Sequence, residues 1–237
     1  MTKPKQTALC PQAAWLAALQ LASPALPIGG FSYSQGLEAA VDVGLVSNAE
    51  QAQRWCLDAL QIFSQCEAVV FCVQYAHWQA TDCAGLQNHN DWFFATRETS
   101  ELRLETSQMG WSLVKLIVQN AWGSAALRGA LSEFKNPTLT TAFAAASVAL
   151  AIPLPQALAA YAFSWAENQV AACIKCVPLG QQAGQTVLNA LRSALPPLLE
   201  HAQACALHTP PKINTFSPHL AVLSSKHETQ YSRLFRS

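Results

Sequence analysis

The chain is 237 residues long, 51% hydrophobic with alanine dominant, and only 12% charged. Its 14 basic and 14 acidic side chains cancel, which removes any electrostatic case for nucleic acid or an anionic membrane as partner. That length supports one domain with a full core, while a weakly charged surface of zero net charge calls for protein partners to cover it.

From the N-terminus, Lys3 and Lys5 precede an apolar run over 13–22, the outline of a secretory leader. Gln20 interrupts that run, and its apolar positions fit a helix over 11–22 instead. Further helices are expected over 34–43, 49–64, 67–80, 90–121, 124–134, 139–151, 156–177 and 181–206. No stretch alternates as a strand would, so the fold class is all-α: a single-domain helical bundle of about nine or ten helices.

The segment 156–177 is apolar nearly all round (Leu158, Tyr161, Phe163, Trp165, Val170, Ile174), which marks a central element. The stretch 142–166 carries no charge and is long enough to cross a bilayer. Pro153 and Pro155 divide it, and two soluble helices account for it better. Pro196 and Pro197 are expected to kink or split the last long helix.

The helical domain is expected to occupy 1–207, with an extended C-terminal tail over 208–237. Pro210, Pro211 and Pro218 forbid one continuous helix there. Phe216, Tyr231, Leu234 and Phe235 are costly to leave in water, so the tail is expected to dock onto something.

Chemistry-bearing motifs are sparse. Ser23-Pro-Ala-Leu-Pro-Ile-Gly-Gly-Phe-Ser-Tyr-Ser-Gln-Gly-Leu-Glu38 reads as a helix–helix connection tightened by Pro and Gly. Ser32 and Gln35 are spaced for a capping box. The functional reading of this stretch puts Phe31, Tyr33 and Glu38 at an exposed corner suited to a partner.

Gly180 and Gly184 lack the Lys-Ser/Thr of a phosphate loop, so nucleotide chemistry belongs to another protein. Cys173-Ile-Lys-Cys176 is a lone pair where a zinc site needs four ligands, and both cysteines read first as small core side chains. Glu101 and Glu105 stand one turn apart, and Arg97 at i−4 from Glu101 predicts an ion-paired helix surface. The six histidines are scattered and no placed nucleophile is evident. The eight cysteines lack a disulfide framework, which predicts reduced thiols and a cytoplasmic protein.

Four stretches taken together resemble one family, the urease accessory protein UreF. They are Ser23 to Glu38 as written above, Arg103-x-Glu105 with Met109-Gly110, and Trp165-x-Glu167-Asn-Gln-Val170 running into Lys175-x-Val-Pro-Leu-Gly-Gln181-x-Ala-Gly-Gln185, then His227-Glu-Thr-Gln-Tyr-Ser-Arg-Leu-Phe-Arg-Ser237. Their order and spacing agree over essentially the whole chain.

The resemblance implies a non-enzymatic, all-α homodimer. Such a scaffold joins UreD (UreH in some systems), recruits the nickel-carrying GTPase UreG, and acts with them on apo-urease. It implies no stably bound cofactor in this chain, with GTP held by UreG and nickel handled by the complex. Carried over by position, the UreG face is Glu38, Lys175 and His227, rimmed by Pro178, Leu179, Gly180 and Gln181. The tail residues Tyr231, Arg233, Leu234, Phe235 and Arg236 would become ordered against UreD/UreH. Cys173 and Cys176 depart from the family pattern around Lys175 and leave a thiol contact with nickel open as a weak candidate metal site. The competing reading is an all-helical, cysteine-dependent hydrolase of thiaminase-like type.

Overall fold

The computed structural model describes residues 11–237, so Lys3, Lys5 and Cys10 lie outside the described residues. Every regular element among them is helical. Helix α1 (Pro11–Ala22) leads through a 3-10 turn, Gly30–Ser32, to the short α2 (Leu37–Asp42). There follow α3 (Ala49–Gln65), α4 (Glu67–Ala80), α5 (Cys83–Thr96) and α6 (Ser100–Gln119). The chain continues through α7 (Ala125–Ser132), α8 (Leu139–Ala149), α9 (Leu154–Cys176), α10 (Gln181–Ala206) and α11 (Pro218–Glu228).

Side-chain caps start many of these helices. Asn48, Asp82, Thr99, Ser124 and Thr138 each accept a hydrogen bond from a backbone N–H of the first turn of α3, α5, α6, α7 and α8. Proline at the first turn serves α9 and α11, where the missing N–H costs nothing.

The long α9 runs through the middle, flanked by α1, α3, α4 and α10, while α4 also packs on α5 and α8, and α6 on α8. Where they meet, Phe71 stacks on Tyr161 at 5.2 Å and Phe63 on Trp165 at 5.0 Å. Ala14, Ala18, Leu21 and Ala22 of α1 are buried, so the leader-like run is part of the body. The stretch Ala49–Ala80 has the length and apolarity of a membrane span, yet 61% of its most apolar window is buried, and Cys66 divides it into α3 and α4.

Four expectations need correction. The single helix over 90–121 is two, because Arg97 takes an extended conformation and Thr99 caps a new start. Arg97 turns inward to pair with Glu67 at 3.2 Å and covers the Phe93 ring at 4.4 Å, so it does not pair with Glu101.

The helix expected from residue 34 begins only at Leu37, since Gln35 and Gly36 both have positive φ (52° and 81°). No capping box forms there. Gln35 instead points inward, donating to Glu105 at 2.7 Å and accepting from Trp165 Nε1 at 2.8 Å.

Pro196 and Pro197 do not split α10. Both are exposed, as are Arg192 and Ser193 one turn earlier, so the carbonyls that the prolines leave free lie on the solvent side of the helix.

The segment 208–237 is not extended throughout, because α11 occupies Pro218–Glu228 and packs on α2 and α6. Before it, Asn214 donates its backbone N–H to the Gln65 carbonyl at 3.0 Å.

Candidate functional site

The polar centre of the molecule is a groove holding the chain's last residues. Its floor comes from distant elements: Ser34 from the loop after the 3-10 turn, Glu38 from α2, Glu101 and Glu105 from α6, and His227 from α11. Ser34 Oγ accepts the Glu38 N–H at 3.2 Å, which fixes the start of α2.

Glu38 takes the backbone N–H groups of Leu234 and Phe235, one on each carboxylate oxygen, at 2.6 and 2.9 Å. Charge-assisted bonds of this kind are roughly twice as strong as neutral ones. Glu101 accepts from Arg233 Nη1 at 2.8 Å. His227 is fully buried between the two carboxylates, with Nδ1 2.8 Å from Glu101 and Nε2 3.1 Å from Glu38. The imidazole can donate at both places only when both nitrogens carry protons.

Further along, Arg236 donates its N–H to the Ser32 carbonyl at 2.8 Å. Ser237 Oγ donates to Glu105 at 2.9 Å. Burial pushes the Glu105 carboxyl up to about 7, against the lowering effect of the Gln35 and Ser237 hydrogen bonds. Phe235 is buried, and Lys175 Nζ lies 5.3 Å from its ring centre and 5.8 Å from that of Phe31. At the outer edge, Glu228 accepts from the Ser100 hydroxyl and N–H, which holds its carboxyl below the usual range.

The structure thus brings Glu38, Lys175, His227, Arg233, Phe235 and Arg236 together. The exposed corner anticipated for Phe31, Tyr33 and Glu38 exists only for Phe31, which is 62% exposed against 5% for Tyr33 and 6% for Glu38. Lys175, Pro178, Gly180 and Gln181 are exposed, and Leu179 is half-buried. Tyr231 is fully exposed and Leu234 is 72% exposed, although the latter's N–H is held.

Sequence reasoning missed Ser34, Gln35, Glu101 and Glu105 as groove residues. Their local sequence context says nothing of partners some 70 to 200 positions away.

Cys173 and Cys176 do not form a pair. Cys173 is fully buried with its Sγ 3.4 Å from Cys56 Sγ, and burial pushes the Cys176 thiol up to about 12. Cys66 and Cys72 are likewise raised by burial, to about 11 and about 12, which is unlike a reactive nucleophile. Among the described residues no group of three or more His, Cys, Asp or Glu is placed to hold a metal ion.

The UreF family model matches residues 46–192. The urease accessory protein UreF of Cupriavidus pinatubonensis is 58% identical over 220 residues, spanning 92% of this chain and 96% of that protein. That of Ralstonia pickettii is 54% identical over 221 residues, or 93% and 96% of the two chains. The bifunctional urease accessory protein UreEF of Bordetella bronchiseptica is 50% identical over 222 residues, covering 93% of this chain and 51% of the larger one. The chain therefore belongs to the UreF family of urease accessory proteins.

Proposed function

We propose that this accessory protein, which is not an enzyme, serves urease maturation in the cytoplasm as a docking scaffold. UreD/UreH binds the tail, UreG binds around Lys175, and the assembly acts on apo-urease with nickel as cargo and GTP held by UreG. The carrying observation is that the tail has two faces. One is pinned by Glu38, Glu101 and Glu105, and the other leaves Tyr231 and Leu234 in solvent. Large apolar side chains held outward on a fixed backbone are suited to anchoring a partner.

Glu38 and His227 act in this reading from within, by fixing 229–237 in place rather than by touching UreG. The tail 208–237, seated on its own chain, is the segment that UreD/UreH engages, and the bundle before it is the folded platform. Relatives in which a UreF-like half is joined to a further accessory half support co-assembly of maturation factors.

A second copy of the chain is proposed to cover the apolar groove of about 520 Å³ between α1, α9 and α10. Trp15, Leu19, Phe163 and Leu195 line it, and Leu16 stands exposed beside it.

Co-purification with UreD/UreH and UreG tests the scheme. Tyr231→Ala combined with Leu234→Ala should abolish UreD/UreH capture without lowering thermal stability, since both side chains are exposed. Lys175→Glu should lose UreG while the chain still binds UreD/UreH. Wild-type capture by these variants would sink the respective site.

A further inference from the structure

Outside the groove, α4 and α5 meet at a turn that carries two histidines and an aspartate. Thr81, at positive φ (56°), reverses the chain so that α5 folds back on α4. His77 lies in the last turn of α4 and His89 on α5, and their rings are 4.9 Å apart at a tilt of 41°. Both are half-buried rather than enclosed.

The two rings are oriented from behind. His77 Nδ1 lies 2.8 Å from Asp82 Oδ2, and His89 Nδ1 lies 3.1 Å from the Gly85 carbonyl. A carbonyl only accepts, so the His89 proton sits on Nδ1, and a carboxylate facing His77 selects the same tautomer. Each neutral ring is thereby left with a lone pair on Nε2.

Asp82 is itself held. Its Oδ1 caps α5 by accepting the Gly85 N–H at 3.0 Å; that bond, then the hydrogen bond with His77 and the nearby charge of the two imidazoles, keeps its carboxyl below the usual range. Gly85 is the floor beneath them. A methyl group there would collide with the His77 ring and the Asp82 carboxylate, so only glycine leaves room for the pair.

An imidazole whose Nδ1–H is tied to a carboxylate or carbonyl, with Nε2 free, is the form in which histidine ligates metals. Two imidazoles on one ion at about 2.0–2.1 Å, separated by 90–110°, place ring centres roughly 4.5 to 5 Å apart. The observed 4.9 Å matches that spacing before any ion is bound. An ordinary helix-end ion pair explains His77 with Asp82, but not the second ring set beside the first with its proton likewise turned away.

We propose that His77 and His89 form a binding site for one divalent transition-metal ion of the borderline class that favours imidazole, such as nickel, zinc or copper(II). Water completes its coordination, and Asp82 is a positioning residue. Since only two protein ligands face the ion, it is held loosely and exchanges, as suits capture and hand-over.

The test is equilibrium dialysis of the full chain against nickel and, separately, zinc ions. His77→Ala and His89→Ala should each lose one equivalent of bound ion while retaining wild-type helical content. Asp82→Asn, which still caps α5, should bind about tenfold more weakly. In the wild type, added zinc should shift the Nε2 nitrogen resonances of both histidines. Stoichiometry unchanged in both alanine variants overturns the site, and so does dependence on only one of the two rings. Capture of UreD/UreH and UreG is read separately, so the two proposals fail independently.

Discussion

Ser34 and Ser237, 203 positions apart, meet through two hydrogen bonds: the N–H and the hydroxyl of Ser34 both donate to the backbone oxygen of Ser237 at 2.6 Å. The contact closes the chain on itself beside Glu38 and Glu105, so the tail and the first loop form one unit.

Glu38 is the clasp of that unit. Glu38→Gln keeps the shape but removes the charge from the acceptor of the Leu234 and Phe235 N–H groups. Loss of charge assistance of around 1.4 kcal/mol corresponds to about a tenfold change in an equilibrium. Hydrogen exchange at these two amides should accelerate by at least about tenfold, and unchanged protection would show that Glu38 does not hold the tail.

Glu105 sets a pH dependence. Burial pushes its carboxyl up to about 7 in the folded chain, from an ordinary value of 4.5. Between those values the folded state binds more protons than the unfolded one, so stability falls as pH rises through that window. Glu105→Gln should flatten the decline and raise stability above pH 7 by on the order of 2 kcal/mol. Thermal melts from pH 5 to 8 would show it, and parallel curves for the two proteins would refute it.

Gly110 lets α6 approach the backbone just before α8 closely. A Cβ there would run into the Pro137 carbonyl and the backbone of Thr138. Alanine ordinarily favours a helix by about 1 kcal/mol over glycine, yet Gly110→Ala should destabilise by about 1–3 kcal/mol through overpacking. Denaturant midpoints decide the sign.

Asn90 ties α5 to the start of α8. Fully buried, it donates to the Asn136 carbonyl and accepts from the Thr138 N–H and the Thr141 hydroxyl, each at 2.9 Å. Asn90→Ala strands these groups, and a loss of about 3 kcal/mol is expected in urea unfolding. A loss below about 1 kcal/mol would mean water replaces the amide.

Periodicity and punctuation by themselves determined most of the helices: α1, α4 and α10 begin and end where the sequence places them, and α9 is the buried axis its all-round apolarity demands. These are local properties, because a helix is specified by residues three and four apart and by its caps. Four separated motifs in order likewise carried the family.

What only the tertiary structure decided is where the charges go. Arg97 and Glu101 look like neighbours on a helix surface, but a break at Thr99 sends one to Glu67 and the other to His227 and Arg233. Gln35 looks like a capping residue, but two positive-φ positions turn it inward to Glu105. A buried carboxylate must find its partner wherever the packed chain supplies one, and those partners lie on other elements. The tail's docking onto Ser34 and Glu38 has the same origin, since it exists only once α2, α6 and α11 are assembled around it.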